Sequence, residues 1–215
     1  MTHITLSDLD PLITSHSLLQ HPFYRRWSTG SLTVQDLQVY AKEYYHFVRR
    51  IPAMVERVRD RASDTELRER IEMNRREEED HVELWARFAK SLGIDRAELD
   101  AHCPSDATRQ AVDRIAASVE GSFDAGVASL YALELELPAI AQTKMQGLTE
   151  FYGLSSADAQ AYFEEHLAEE KHLAVWRSVA VEVEQGTEAA SAALAGQHAV
   201  LDAVCVLRGI PCHCS

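Results

Sequence analysis

Apolar residues recur along this chain with the period of an α-helix, and this periodicity is the feature that most limits the fold. With residues placed about 100° apart, one stripe in the segment 65–91 contains Leu67, Ile71, Val82, Trp85 and Ala89. Helix-forming residues dominate elsewhere, and no window alternates between apolar and polar residues as a half-buried strand would. The sequence therefore predicts an all-α protein.

Capping and turn residues divide the pattern into seven or eight predicted helices. Their approximate ranges are 6–19, 34–61, 65–91, 96–101, 107–118, 122–146, 157–184 and 187–207. Thr33 and Asp64 are expected to cap the second and third of these helices, and Pro52 to disturb the second. The sequence contains no repeat and no linker long enough to separate domains, so we expect one domain over residues 1–215.

The charge of the chain limits its partners. It has 34 acidic and 21 basic residues and a formal net charge of -13, which argues against binding to nucleic acid or to an anionic membrane surface. It has no run of 18 apolar residues, its first residues lack the pattern of a signal peptide, and its four cysteines do not form a disulfide framework. We expect a cytoplasmic protein with no membrane or nucleic-acid partner.

Three predicted helices each place one glutamate on an apolar face. Glu78 lies within the stripe of 65–91, Glu134 at the centre of the stripe in 122–146, and Glu169 on the stripe of 157–184. The rest of the acidic run 77–80, including Glu77, is predicted to be mostly solvated surface. A carboxylate in an apolar core is costly unless positive charge lies beside it, and basic residues are scarce on these faces.

Histidines accompany these glutamates at helical spacing. His81 follows Glu78 and His172 follows Glu169 by three positions, while His166 flanks the same stripe as Glu169. Glu-x-x-His pairs with additional carboxylates are typical of helical di-iron and di-manganese proteins, and these donor types suit iron or manganese. The sequence predicts a site for two divalent metal ions, although paired acids and core histidines without metal are an alternative interpretation.

Several motifs resemble one known family over nearly the whole chain. They are His21-Pro22-Phe23-Tyr24 with Trp27, Gly30 and Leu32; Tyr40-Ala41-x-x-Tyr44-Tyr45; His81-x-x-Leu84-Trp85; Ala128-x-Leu130-Tyr131-x-x-Glu134 with Pro138 and Lys144; Gly147-Leu148-Thr149-Glu150; Tyr162-Phe163-x-x-His166; and the tail Cys212-His213-Cys214. The pattern resembles the family of the Chlamydia protein associating with death domains. This family belongs to the haem-oxygenase-like di-metal oxidases, which are related to pyrroloquinoline-quinone synthase and thiaminase II.

The resemblance implies a fold and an activity. The fold would be a haem-oxygenase-like bundle of seven or eight helices, usually a homodimer, with an iron or manganese site that activates molecular oxygen. The product would be para-aminobenzoate for folate synthesis, made by a protein that sacrifices its own side chains. The residues that match the donors are Tyr24 for the ring and Lys144 for the amino group, with Tyr40 as a helper. Without the resemblance, Lys144 would be interpreted as an ordinary surface lysine.

The last ligand motif departs from the family pattern by one residue. The family reads His-x-x-x-acid-x-x-His, whereas this chain reads His166-x-x-Glu169-x-x-His172. Glu170 would keep the first spacing but lies about 160° around the helix from His172. We therefore predict Glu169 as the ligand, with Glu170 as the alternative.

Other functions remain open at the level of sequence. One is an oxidase that acts on an external small molecule such as an amine or a fatty acid, and another is a helical interaction protein that binds a partner domain. A cofactor-free enzyme of the thiaminase type would need a nucleophilic cysteine in the pocket. No cysteine lies on the three stripes that carry the glutamates, which counts against that class.

Overall fold

The computed structural model describes residues 2–168 and 170–212, with only the backbone of Glu170. The described chain forms a small two-stranded sheet, β1 (His3–Thr5) and β2 (Ala180–Glu182), and the following helices. They are α1 (Asp10–Ser15), α2 (Pro22–Trp27), α3 (Val34–Val48), α4 (Ile51–Arg61), α5 (Thr65–Ser91), α6 (Arg96–Ala101), α7 (Asp106–Glu120), α8 (Phe123–Glu134), α9 (Leu137–Tyr152), α10 (Ala157–His166), α11 (Glu170–Arg177) and α12 (Val183–Arg208). The predicted all-α class is confirmed.

Two long helices organise the bundle. Helix α12 packs against α8, α7 and α3, while α5 packs against α4, α10 and α3. The buried side chains form one continuous core that includes Trp27, Trp85 and Trp176, all with no exposed surface. Both sets of contacts involve α3, so the aromatic side chains of that helix lie between the two halves of the bundle.

The predicted caps of the second and third helices are confirmed. The Thr33 hydroxyl accepts a hydrogen bond from the Asp36 backbone, and the Asp36 carboxylate accepts one from the Thr33 backbone at 2.7 Å. Asp64 accepts a hydrogen bond from the Leu67 backbone at 2.7 Å. These contacts satisfy amide groups that a helix start leaves without an intrahelical partner.

Four of the predicted helices are divided in the structure. The segment 6–19 has 3₁₀ turns at Leu6–Leu9 and Leu18–Gln20 on either side of α1. The expected break near Pro52 separates α3 from α4. The segment 122–146, predicted as one helix, ends α8 at Glu134 and begins α9 at Leu137. Pro138 accounts for this break because it cannot donate to the Glu134 carbonyl four residues earlier. The segment 157–184 contains α10, a turn and α11 rather than one helix.

The same segment also reaches the small sheet, which the sequence did not predict. β2 pairs antiparallel with β1, with Ile4 opposite Val181. Each strand has three residues, too few to show an alternating pattern. This pairing attaches the N-terminal segment to the start of α12.

Helix α12 is the one helix of the described chain that is long and apolar enough, by composition, to cross a membrane. Its most apolar window has a mean hydropathy of 1.4, and 56% of that window is buried within the fold. Because most of this apolar surface already contacts other helices, its composition suits a core helix.

Gly147 allows α9 to lie directly against α2. A Cβ atom at this position would lie 2.7 Å from the Trp27 indole. We expect Gly147→Ala to lower the free energy of unfolding by about 1–3 kcal/mol, because the fully buried indole has no room to move. Urea denaturation would measure this, with Gln142→Ala on the exposed face of α9 as the control. Unchanged stability in Gly147→Ala would contradict the tight contact.

Candidate metal centre

Three residues from separate helices converge in the core. Glu78 of α5, Glu134 at the end of α8 and His172 in the first turn of α11 offer donor atoms that lie within 4.8 Å of one another. Their exposed fractions are 4%, 4% and 2%. Nδ1 of His172 lies 3.6 Å from Glu78 Oε1 and 4.0 Å from Glu134 Oε2. This group could hold a metal ion.

Two further histidines border this group. Nδ1 of His81 lies 3.2 Å from Glu78 Oε2, and the rings of His81 and His166 are 4.4 Å apart between centroids. His166 donates from Nδ1 to the Tyr162 carbonyl at 2.5 Å, which leaves Nε2 as the nitrogen that carries the lone pair in the neutral ring. The structure thus brings five of the predicted ligands together, and their binding of metal stays a prediction.

The charge state of Glu78 suits a metal ligand. Burial by itself would raise the pKa of Glu78, but the hydrogen bond from His81 and the attraction of His81, His166 and His172 in their protonated forms hold it below its usual range. Metal ligands must be deprotonated, and a set of carboxylates and imidazoles suits iron or manganese. The buried donor set therefore fits the expected pair of divalent ions.

The predicted ligand Glu169 and the side chain of its alternative, Glu170, lie outside the described part of the structure. The choice between the two therefore stays a prediction.

The structure adds two contacts that sequence reasoning did not find. Trp176 donates its indole N–H to Glu134 Oε2 at 2.6 Å, and Glu77 Oε2 lies 2.9 Å from Nε2 of His172. Glu77, predicted to be mostly solvated surface, has a side chain that is 43% exposed but that also reaches across to α11. Helical spacing gave the direction of Glu77 but could not show that α11 packs beside it.

A second buried cluster surrounds the amine of Lys144. This residue is 3% exposed, and its Nζ donates a hydrogen bond to the Tyr40 hydroxyl at 2.5 Å. Five aromatic rings have their centroids 5.0–5.7 Å from Nζ, those of Tyr24, Tyr40, Tyr44, Trp85 and Phe163. The interpretation of Lys144 as a surface lysine is therefore wrong. We call these six residues the lysine box.

The lysine box favours neutral groups. Burial lowers the pKa of Lys144 to about 7, because the ammonium form is poorly solvated among the rings. Burial also raises the pKa of Tyr24 and of Tyr40 well above the usual range, so both phenols stay protonated. The box thus holds an amine that loses its proton near neutral pH above a neutral phenol ring.

Aromatic rings lie between the lysine box and the candidate metal centre and are in contact with both. Tyr44 belongs to the box and also borders a cavity of about 20 Å³ that is lined by Glu78, Glu134 and His166. Trp85 stacks on Tyr44 with centroids 5.2 Å apart and contacts Tyr162 at 4.8 Å. The Tyr162 ring in turn lies 4.3 Å from that of His166. The two clusters are therefore joined by ring-to-ring contacts.

Comparisons with known proteins agree with this architecture. Residues 8–199 match the model of the TENA/THI-4/PQQC family. The chain is 39% identical over 166 residues to the 4-aminobenzoate synthase of Chlamydia muridarum (strain MoPn / Nigg), a match that covers 75% of this chain and 70% of that protein. It is 30% identical over 156 residues to the pyrroloquinoline-quinone synthase of Bradyrhizobium sp. (strain ORS 278), covering 69% and 60% of the two chains.

Solved structures show the fold. A protein from Shewanella denitrificans with a heme oxygenase-like fold superimposes with a TM-score of 0.81 at 18% identity, covering 96% of this chain and 94% of the other. A CADD-like protein from Nostoc punctiforme gives a TM-score of 0.67 at 19% identity, covering 93% and 98%. The expected haem-oxygenase-like fold is confirmed.

Metal analysis tests the candidate centre. We expect the full chain, produced with iron and manganese supplied, to contain about two metal ions per chain, as helical carboxylate–histidine sites do. Glu134→Ala and His166→Ala should lose most of this metal because each removes a donor from the buried group. Glu150→Ala, which removes an exposed carboxylate from α9, is the control. A wild-type protein without metal would overturn the prediction.

The environment of Lys144 predicts how stability depends on pH. The amine titrates near its ordinary value of 10.5 in the unfolded chain but at about 7 in the folded protein. Between these values the unfolded state binds a proton that the folded state lacks. The amine therefore makes the free energy of unfolding rise with pH across this window, by at most about 1.4 kcal/mol per pH unit.

Lys144→Met should remove this rise in the free energy of unfolding with pH. Methionine is also unbranched and of similar length, but it has no group that titrates. Urea denaturation of both proteins at about pH 7.5 and pH 9.5 would measure it, and the comparison cancels the groups that the two proteins share. Parallel pH dependence in the two proteins would show that Lys144 is not buried as a neutral amine.

Proposed function

The chain belongs to the TENA/THI-4/PQQC family, and we propose that within this family it is a metal-dependent oxidase that forms 4-aminobenzoate for folate synthesis. In this proposal the protein consumes its own side chains. Tyr24 supplies the aromatic ring and Lys144 supplies the amino nitrogen, with molecular oxygen as the oxidant. The relatives named 4-aminobenzoate synthase support the product.

The observation that carries the donor pair is the burial of the Lys144 amine 5.3 Å from the centroid of the Tyr24 ring. Tyr40 and Tyr44 lie at similar distances, so the choice of Tyr24 rests on the family resemblance. A lysine in water is protonated at neutral pH and has no lone pair with which to form a bond. Within the box, burial lowers the pKa of Lys144 to about 7, so a large fraction of the amine is a neutral nucleophile. The fold already holds the amine and the phenol next to each other. A reaction between them therefore costs little further translational and rotational entropy.

The other box residues and Trp27 hold this pair in place. The Tyr40 hydroxyl accepts the hydrogen bond of Lys144 and so fixes the amine against the rings. The Trp27 indole donates to the Lys144 carbonyl at 3.2 Å, which holds this part of α9 against α2. The surrounding rings exclude water from the amine, because the side chain is almost completely buried.

The candidate metal centre would hold its ions through Glu78, Glu134, His81, His166 and His172, with the predicted Glu169. A bound pair of iron or manganese ions supplies the capacity to reduce molecular oxygen, which the oxidation of a phenol requires. Trp176 keeps Glu134 oriented by its hydrogen bond, and Tyr162 keeps His166 oriented through its carbonyl. Ring contacts through Trp85 connect this centre with the lysine box.

The size of the small cavity between Glu78, Glu134 and His166 supports an internal rather than an external aromatic donor. Its volume of about 20 Å³ is enough for one water-sized molecule. Six of its lining residues are Tyr44, Phe47, Ile51, Leu130, Leu133 and Leu137, all apolar or aromatic. Glu78, Glu134, His166 and Gln197 form the polar part of its lining. A cavity of this size can hold a small diatomic gas and is too small for an aromatic acid.

Isotope labelling tests the origin of the product. The full chain, containing ring-¹³C tyrosine and ¹⁵N lysine, is loaded with iron and manganese and exposed to a reductant and oxygen. We expect labelled 4-aminobenzoate by mass spectrometry, with at most about one product molecule per chain because each chain has one donor pair. Unlabelled product or repeated turnover would instead support an oxidase of an external substrate.

Matched variants assign the two donors. Tyr24→Phe and Lys144→Arg should abolish the labelled product while retaining bound metal, because neither residue belongs to the metal donor set. The controls are Tyr45→Phe, which loses only a hydrogen bond to Asp100, and Lys42→Arg at a surface ion pair with Glu98. Full product yield from Tyr24→Phe or Lys144→Arg would contradict the assignment of that donor.

A further inference from the structure

Two adjacent carboxylates of α5 reach the same histidine from different sides. Glu77 and Glu78 are about 100° apart around the helix, so one faces the core and the other faces its edge. Glu78 Oε1 lies 3.6 Å from Nδ1 of His172, whereas Glu77 Oε2 lies 2.9 Å from Nε2 of the same ring. The imidazole is therefore held between a buried carboxylate and a half-exposed one.

The contact with Glu77 has a consequence for the protonation of the ring. A carboxylate can only accept a hydrogen bond, so the short contact requires a proton on Nε2 of His172. A neutral imidazole carries only one N–H group, and Nδ1 then carries the lone pair. Nδ1 is the nitrogen that lies within 4.0 Å of both Glu78 and Glu134.

We propose that Glu77 is a positioning residue that fixes the tautomer and ring orientation of His172, so that this histidine binds metal through Nδ1. Histidines that ligate metals almost always donate their other N–H to a carboxylate, a carbonyl or water, and losing that partner typically weakens metal binding 10–100-fold. The role suits the location of Glu77. It lines a cavity of about 40 Å³ together with His81 and His172. The inference rests on the metal site of the proposed function.

The decisive experiment measures the tautomer of His172 without metal. Long-range ¹H–¹⁵N spectra of the metal-free full chain with ¹⁵N-histidine would be recorded at about pH 8.5, where histidine is ordinarily neutral. The His172 signals are assigned by their loss in His172→Gln. We expect a proton on Nε2 in the wild type, the same tautomer in Glu77→Gln because its amide oxygen still accepts, and a mixture in Glu77→Ala. A proton on Nδ1 in the wild type, or an unchanged tautomer in Glu77→Ala, would overturn the proposal.

Binding of Mn²⁺ alone, in the absence of oxygen, gives the second measurement. We expect Glu77→Ala to bind Mn²⁺ 10–100-fold more weakly and Glu77→Gln to stay within about threefold of the wild type. Asp80→Ala, which removes an exposed carboxylate three residues along α5, should bind as the wild type does. Equal losses in Glu77→Gln and Glu77→Ala would mean that the charge of Glu77, not its hydrogen bond, is needed, which overturns the proposal.

These results are separable from a failure of the proposed function. A wild-type protein that bound no Mn²⁺ at all would remove the metal site itself. The tautomer measurement needs no metal and no product, so it decides independently whether Glu77 orients His172.

Discussion

The burial of charged side chains on apolar helix faces is the constraint on which the rest of the structure depends. Glu78 and Glu134 are both 4% exposed, and a carboxylate at that depth destabilises a fold unless positive charge or hydrogen-bond donors lie beside it. In this fold, histidines from α5, α10 and α11 lie beside the two glutamates. The Trp176 indole donates a hydrogen bond to Glu134. These side chains come from four helices, α5, α8, α10 and α11, which ties the packing of the bundle to the geometry of the centre.

The break between α8 and α9 lies between a residue of the candidate metal centre and a residue of the lysine box. Glu134 is the last residue of α8, and Pro138 in the first turn of α9 prevents the helix from continuing straight through. Helix α9 then carries Lys144 into the aromatic box, where no charged partner among the described residues offsets its burial. Desolvation therefore lowers its pKa to about 7. An amine that is costly to bury as a cation is consistent with a reactive role, since perturbed groups concentrate at functional sites.

Some of this arrangement could be predicted because it depends on spacing along one helix. The apolar stripe of α5 identified Glu78 and His81 as inward residues, and the stripe before Pro138 identified Glu134. Both glutamates are buried, as is His172. Resemblance to a family, rather than periodicity, singled out Tyr24 and Lys144. Periodicity failed where the chain changes direction, since it joined α8 to α9, joined α10 to α11 and continued a helix into β2.

The sequence by itself determined which residues each helix turns inward, because that direction follows from the local helical rotation of about 100° per residue. Only the tertiary structure decided which helices lie side by side. Tyr40 and Lys144 are 104 positions apart, and Glu77 and His172 are 95 apart, yet both pairs share a hydrogen bond. Such contacts, and the pKa values that follow from them, depend on how whole helices pack and exclude water. The packing of whole helices results from many weak contacts across the core. A local pattern of residues therefore does not determine it.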